Sequence, residues 1–204
     1  MTPILWSFRR CPYAIRARLA LDVAGIEVEH REIVLRDKPR DFLADNPAGT
    51  VPVLVCDGQT LIHSRDIMVW ALSRNDPERW MDMPEAGFEV MDEVEGPFKG
   101  HLDRYKYASR HVDCDPETER KRAAQTILRI NEMLDGKGWL FGEPRLADFA
   151  VLPFVRQYAH ADLEWFNAQE WDHVHRWLDA FKSSDRFARV MVKHPLWQAE
   201  THAA

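Results

Sequence analysis

The chain has 204 residues, of which 46% are hydrophobic, and a formal net charge of −6 at pH 7. This composition excludes a disordered chain and is sufficient for one domain or two small ones. The negative charge argues against a nucleic-acid partner, and no apolar run approaches the roughly 18 residues of a membrane span. The N-terminus has no signal-peptide pattern and three cysteines make no disulfide framework, so we expect a cytoplasmic protein without membrane association.

The first 76 residues predict a small α/β domain with the element order β-α-β-α-β-β-α. Asp57-Gly58 lies between two apolar runs and predicts a tight antiparallel hairpin, because these residues tolerate positive φ angles. Ser64 is a favourable N-cap residue for the helix that follows. The predicted strands are residues 4–6, 26–35, 51–56 and 60–62, and the predicted helices are residues 11–24, residues 40–45 and a third helix that follows Ser64 and ends at Asn75.

The remainder of the chain shows no strand pattern. Residues 77–84 are predicted to form a linker, and residues 85–204 an all-helical domain. Gly96-Pro97 predicts a kink in the first of its helices, and Pro116 is expected at the first helical position of the second. The predicted helices are residues 85–109, 115–134, 146–161 and 171–182.

Cys11 is the strongest candidate for chemistry. Pro12 favours the first position of a helix, so Cys11 becomes its N-cap. The positive end of the helix dipole, together with the nearby Arg9, Arg10 and Arg16, favours the thiolate form. A lone cysteine is more often a small buried hydrophobic residue, but the order strand, loop, Cys-Pro, helix is typical of thioredoxin-like proteins. With no second cysteine of a C-x-x-C pair, an external thiol must resolve any mixed disulfide.

Four motifs, taken in order and spacing, resemble the cytosolic glutathione S-transferase family, and within it the omega-like, cysteine-type class. The resemblance covers essentially the whole chain, and it implies a thioredoxin-like first domain and an all-α second domain. It also implies a homodimer, with glutathione as co-substrate and no metal. The motifs are residues 7–14, residues 46–54, residues 63–67, and Leu140-Phe141-Gly142 followed by Ala147-Asp148-Phe149 and Pro153.

The resemblance also implies roles for five residues. Cys11 would form a mixed disulfide with glutathione, and Lys38 would approach the glycyl end of that peptide. The backbone of Val51 would pair with the cysteinyl part as an added β-strand does. Ser64 would bind the γ-glutamyl carboxylate at a helix N-terminus. His63 would contact the γ-glutamyl ammonium.

Two positions depart from the family pattern. His63 stands where Glu or Gln is usual, and because a protonated imidazole repels an ammonium group, we expect weaker and pH-sensitive glutathione binding. Arg145 replaces a Ser or Thr N-cap three residues before Asp148, at a cost of ~1 kcal/mol of capping energy. Asp148 can still accept from backbone N–H groups, so its role is interpreted as structural.

Other candidates have competing interpretations. Ser7 is a secondary candidate for a catalytic hydroxyl, and Arg9 and Arg10 either steer anionic substrates or line a solvated loop. In the family fold Tyr105 would face the cleft above Cys11, which makes it a candidate for the substrate pocket, although core packing explains it equally well. Two further pairs, His111 with Cys114 and His173 with His175, lack the additional ligands of a zinc site.

Three functions are compatible with these residues. The first is glutathione-dependent thiol transfer, of the dehydroascorbate-reductase type, through a mixed disulfide at Cys11. The second is conjugation of glutathione to a small electrophile, with Cys11 as a bystander. The third is a binding or regulatory protein without enzymatic activity, since one fold serves several functions.

Overall fold

A computed structural model describes residues 1–199, which divide into two compact units. The first unit contains Met1–Glu78 together with residues 185–199, and the second contains Arg79–Ser184. None of the helices described within residues 1–199 is long and apolar enough to cross a membrane.

The first unit is built on a four-stranded mixed sheet with the strand order β2-β1-β3-β4. Strand β1 pairs in parallel with β2 and antiparallel with β3, which in turn forms a hairpin with β4. Asp57 and Gly58 connect that hairpin with φ angles of 50° and 74°, which confirms the predicted turn. The strands are β1 (Ile4–Ser7), β2 (Glu29–Glu32), β3 (Val53–Cys56) and β4 (Gln59–Leu61).

Three helices complete the predicted β-α-β-α-β-β-α order, which is confirmed as a thioredoxin-like domain. Helix α1 is buried over most of its length, including Arg16 and Arg18, and packs against α3. A hydrophobic core containing Trp6, Phe42 and Val53 lies against the sheet. The helices are α1 (Pro12–Val23), α2 (Arg40–Asp45) and α3 (Ser64–Arg74).

Several predicted boundaries in this unit were wrong. Strand β2 has four residues rather than ten, because it pairs only with the four residues of β1. Strand β3 begins after the cis Val51–Pro52 bond, since Pro52 has no N–H to contribute to the ladder. Ser64 is the first residue of α3 rather than its N-cap, a position that His63 occupies.

The second unit is all-helical, as predicted. The expected kink at Gly96-Pro97 takes the form of a π-helical turn, Val94–Phe98, between two shorter helices. Pro97 lacks an N–H, so it interrupts the regular hydrogen-bond ladder there. The helices are α4 (Ala86–Glu93), α5 (Lys99–Lys106), α6 (Pro116–Met133), α7 (Leu146–Ala159), α8 (Leu163–Asn167) and α9 (Asp172–Ser183).

Helix α7 forms the core of the second unit, with twelve of its fourteen residues buried. Tyr158, near its C-terminal end, lies within an aromatic cluster that includes Phe98, Trp165 and Phe166. Near its N-terminal end, Phe149 stacks on Trp80 with a ring-centroid distance of 3.8 Å.

Residues 185–199 belong to the first unit, although the sequence assigned everything after residue 84 to the helical domain. Helix α10 (Asp185–Val190) and the segment after it return to α1 and β2. The Trp197 N–H donates to the carbonyl of Glu32 at 2.9 Å, and the Trp197 ring meets Trp6 edge-on at 4.9 Å. Residues 200–204, also assigned to the helical domain, lie outside the described residues.

Candidate functional site

Cys11 occupies the N-cap position of α1, and Pro12 is the first helical residue. Its thiol is half-buried and donates from Sγ to the carbonyl oxygen of Val51 at 3.7 Å. The Cys11 N–H donates to the carbonyl of Phe8 at 3.0 Å, closing a tight turn between β1 and α1. A sulfur at this position lies at the positive end of the helix dipole, which favours the thiolate.

The loop before β3 contacts Cys11 through the Val51 carbonyl and contacts Lys38 through Gly49. Asn46 holds this loop by donating from Nδ2 to the Thr50 carbonyl at 2.9 Å. Gly49 has a φ of 63°, and a Cβ at that position would lie 2.8 Å from the Nζ of Lys38. The side chain of Lys38 therefore crosses closely over the Gly49 backbone.

Ser64 and His63 lie at the N-terminus of α3. Ser64 is buried, and its Oγ accepts a hydrogen bond from the Nε of Arg16 at 2.8 Å. The Arg16 side chain is itself only 2% exposed, so it places a positive charge behind the serine within the protein interior. His63 is exposed and makes no side-chain cap to the helix.

A second set of charged residues, which the sequence did not predict, lies behind the Cys11 loop. Arg18 and Glu32 are each only 6% exposed. Arg18 donates to Ser7 Oγ at 2.5 Å and to the Arg9 carbonyl at 2.7 Å. Glu32 Oε1 accepts from the Arg9 N–H at 2.6 Å. The sequence signal was a pair of arginines two residues apart on a helix that is mostly apolar.

Burial lowers the pKa of Arg18 to about 10, while the negative charges of Glu32 and of a Cys11 thiolate act in the opposite direction. Ser7 is fully buried, and its oxygen is engaged by Arg18. This contact gives Ser7 a structural role. Of the loop arginines, Arg10 is exposed and lies over the ring of Phe8 at 5.6 Å.

Tyr105 lies on α5 of the second unit and is half-buried. Its ring centroid is 6.2 Å from that of Tyr158, and the Arg120 guanidinium lies 5.7 Å from its centre. These contacts account for a packing role, and the assignment of Tyr105 to a substrate pocket stays a prediction.

Asp148 has the structural role expected from the sequence. Its carboxylate accepts from the Leu140 N–H and from the Arg145 N–H, both at 3.0 Å. Burial raises the pKa of this carboxyl group to about 6, against the effect of those hydrogen bonds. Within residues 1–199, no three histidine, cysteine, aspartate or glutamate side chains come together as a potential metal site.

The chain is similar to known proteins over most of its length. A family model described as the glutathione S-transferase N-terminal domain matches residues 5–80. Glutathione S-transferase U22 of Arabidopsis thaliana is 32% identical over 74% of this chain and 79% of its own length. Glutathione S-transferase omega-1 of Sus scrofa is 26% identical over 94% of this chain and 77% of its own length.

A solved structure also shares the fold. A glutathione transferase family member from Pseudomonas fluorescens, crystallised with two glutathione bound, superimposes with a TM-score of 0.79. It is 16% identical to this chain, and the match covers 93% of this chain and 92% of the other.

Proposed function

The chain belongs to the glutathione S-transferase family, and on that basis we propose that it is an omega-like enzyme that transfers thiols through a mixed disulfide at Cys11. The observation that carries this proposal is the contact between the Cys11 Sγ and the Val51 carbonyl at 3.7 Å. It combines a thiol at a helix N-terminus with the backbone segment that leads into β3, where a cysteine-containing peptide can pair.

In the proposed first step, the Cys11 thiolate attacks the glutathione sulfur of a disulfide between glutathione and a substrate thiol. A disulfide forms between Cys11 and glutathione, and the substrate thiolate leaves and takes a proton from solvent. The thiolate of a second glutathione then attacks this mixed disulfide. Oxidised glutathione is released and Cys11 returns as a thiolate, so the enzyme needs no second cysteine of its own.

The binding of glutathione is proposed to use four further residues. The Val51 backbone pairs with the cysteinyl part, and Ser64, supported by Arg16, binds the γ-glutamyl carboxylate. Lys38 approaches the glycyl carboxylate, and His63 contacts the γ-glutamyl ammonium. The homodimer implied by the family resemblance stays a prediction, which light scattering of the purified protein tests.

The deciding experiment measures glutathione-dependent reduction of the mixed disulfide between glutathione and 2-mercaptoethanol. We compare the wild type with Cys11→Ser, and use Cys114→Ser as the matched control because Cys114 is also a half-buried thiol. Thiol transfer predicts loss of activity in Cys11→Ser alone, together with a glutathione adduct on Cys11 by mass spectrometry. Activity that persists in Cys11→Ser, or conjugation of an aromatic electrophile by that variant, would overturn the mechanism in favour of direct conjugation. A wild type that does not bind glutathione would favour the binding-protein interpretation.

A further inference from the structure

The charged residues behind the Cys11 loop are not used by the proposed chemistry. Burying a charge is unfavourable unless it is paired and hydrogen-bonded, and Arg18 and Glu32 are both almost inaccessible to solvent. Each of them forms a hydrogen bond with the backbone of Arg9, which lies two positions before the reactive cysteine. Both buried charges are therefore bonded directly to the backbone of the Cys11 loop.

Arg18 and Glu32 hold both backbone polar groups of Arg9. Glu32 Oε1 accepts from the Arg9 N–H at 2.6 Å, and Arg18 Nη2 donates to the Arg9 carbonyl at 2.7 Å. With the Cys11 N–H bound to the Phe8 carbonyl at 3.0 Å, the backbone from Phe8 to Cys11 is fixed at three points. The side chain of Arg9 takes no part in these contacts.

The guanidinium of Arg18 also connects this loop to its surroundings. It donates from Nη1 to Ser7 Oγ at 2.5 Å, and from Nε to the Val190 carbonyl at 2.8 Å. One planar group thus joins the end of β1, the loop before α1 and the end of α10. A lysine, with a single ammonium group, does not reproduce this planar set of donors.

Glu32 is oriented from its other side. Its Oε2 lies 3.0 Å from Nε2 of His30, and its carbonyl accepts from the Trp197 N–H at 2.9 Å. The His30 ring stacks on His194 with a centroid distance of 3.9 Å. The ionisable groups near the loop include Arg9 and Arg10 on the loop itself, Arg16 and Arg18 on α1, His30 and Glu32 on β2, and His194 on the C-terminal segment.

The two buried charges have opposite effects on the sulfur. The positive charge of Arg18 attracts a Cys11 thiolate, and that thiolate in turn raises the pKa of Arg18. The Glu32 carboxylate accepts from the N–H of Arg9 in the same loop, and a negative charge there acts on a thiolate in the opposite sense. Because the low dielectric of the interior strengthens both interactions, removing one charge shifts the ionisation of Cys11 in the direction set by the other.

We propose that Arg18 and Glu32 are positioning residues for Cys11, which clamp the backbone of Arg9 and together set the ionisation of the thiol. The assignment rests on the proposed function only in taking Cys11 as the reactive sulfur. The effect of Arg18 and Glu32 on the ionisation of Cys11 can be measured without glutathione.

The test follows the rate of alkylation of Cys11 by iodoacetamide as a function of pH, in the full chain without glutathione. The variants are Arg18→Met, Arg18→Lys and Glu32→Gln, and Arg189→Met is the matched control, since Arg189 is an ion-paired arginine of the same unit that contacts Asp22. Circular dichroism and the reactivity of Cys114 report on folding.

The proposal predicts that the pH midpoint of Cys11 alkylation shifts in opposite directions in Arg18→Met and Glu32→Gln. In Arg18→Met the alkylation midpoint rises by about 1 pH unit, and in Glu32→Gln it falls, because glutamine still accepts from the Arg9 N–H but carries no charge. Arg18→Lys keeps the charge and loses the planar donors, so its midpoint moves less while its glutathione-dependent kcat falls about tenfold or more. Arg189→Met behaves as the wild type.

Equal midpoints in all variants, or shifts of the same sign in Arg18→Met and Glu32→Gln, would overturn the proposal, because a purely structural role predicts no such opposition. If Arg18→Met does not fold, the lower alkylation midpoint of Glu32→Gln and the lower kcat of Arg18→Lys still test the proposal. Absence of glutathione-dependent turnover in the wild type counts against the proposed function and leaves the alkylation result intact.

Discussion

Arg16 donates from Nε to the Oγ of Ser64 at 2.8 Å, with both side chains buried in the first unit. The bond engages an acceptor position of the serine oxygen, so the hydroxyl proton is directed elsewhere. An anion at the N-terminus of α3 would receive that proton, and the buried guanidinium behind the serine adds to its attraction.

We expect Arg16→Met to raise the glutathione KM about tenfold, the loss of roughly one charge-assisted hydrogen bond. The alkylation rate of Cys11 should change little, since Arg16 acts on the serine. Ser64→Ala provides the comparison: if the two residues act through one contact, the double variant is hardly worse than either single variant. Fully additive losses in this cycle would show that Arg16 acts independently of Ser64.

His63 should make glutathione binding sensitive to pH. Its exposed side chain lies at the N-cap of α3, where the family pattern has Glu or Gln. A protonated imidazole would place a positive charge beside the γ-glutamyl ammonium, so we expect lower affinity in acidic than in neutral solution. His63→Gln should bind glutathione more tightly and with a flatter pH profile, as measured by titration calorimetry. A flat profile in the wild type would remove His63 from this role.

Gly49 and Gly58 offer a matched pair for testing the position of Lys38. Both have positive φ angles, 63° and 74°, but only at Gly49 would a Cβ meet other side chains, most closely the Lys38 Nζ at 2.8 Å and then the Leu43 Cδ2 at 3.3 Å. Each alanine substitution should lower the free energy of unfolding by ~1 kcal/mol through backbone strain. Gly49→Ala alone should also displace Lys38 and raise the glutathione KM. Equal KM values in the two variants would place Lys38 outside the binding site.

His194 should make the packing of the C-terminal segment depend on pH. Burial lowers the pKa of His194 most, and the charge of His30 lowers it further, while the charge of Glu32 raises it. Since the folded-state pKa lies below the unfolded value, the stabilisation is complete above about pH 6.5 and is lost as the pH falls through the folded value. Protonation of His194 therefore weakens its stack on His30.

Hydrogen exchange at residues 192–198 measures this effect. After correction for intrinsic exchange, we expect protection to fall about three- to tenfold between pH 7 and pH 5.5. His194→Gln should abolish most of the dependence. A drop of the same size in that variant would assign the effect to a different titrating group.

Features that depend on neighbouring residues could be predicted from the sequence. Cys11-Pro12 places the N-terminus of α1, and Asp57-Gly58 forms the hairpin, because both are determined by local backbone angles and hydrogen bonds. The proximity of Cys11 and Val51 was implied by the family resemblance and is present in the structure. The length of β2 could not be predicted, since it depends on how many residues of β1 are available to pair with it.

Features that depend on distant residues were missed for a physical reason. Arg18 and Glu32 are charged, and a charged residue in an amphipathic sequence is normally assigned to the surface. Their burial depends on partners supplied by the folded chain. Arg18 donates to the carbonyls of Val190 and Arg9, and Glu32 accepts from the Arg9 N–H. The same holds for residues 185–199, whose short helix carries no signal for the unit on which it packs.

The return of residues 185–199 to the first unit has a consequence for the order of folding. The contact between Arg18 and Val190 joins residues 172 positions apart, so the partners of β2 and α1 are synthesised long after the sheet itself. During synthesis the second unit can form from a continuous stretch, whereas the first must wait for its last strand-like segment. Until residues 185–199 dock beside β2, the edge of that strand is open to pairing with another chain.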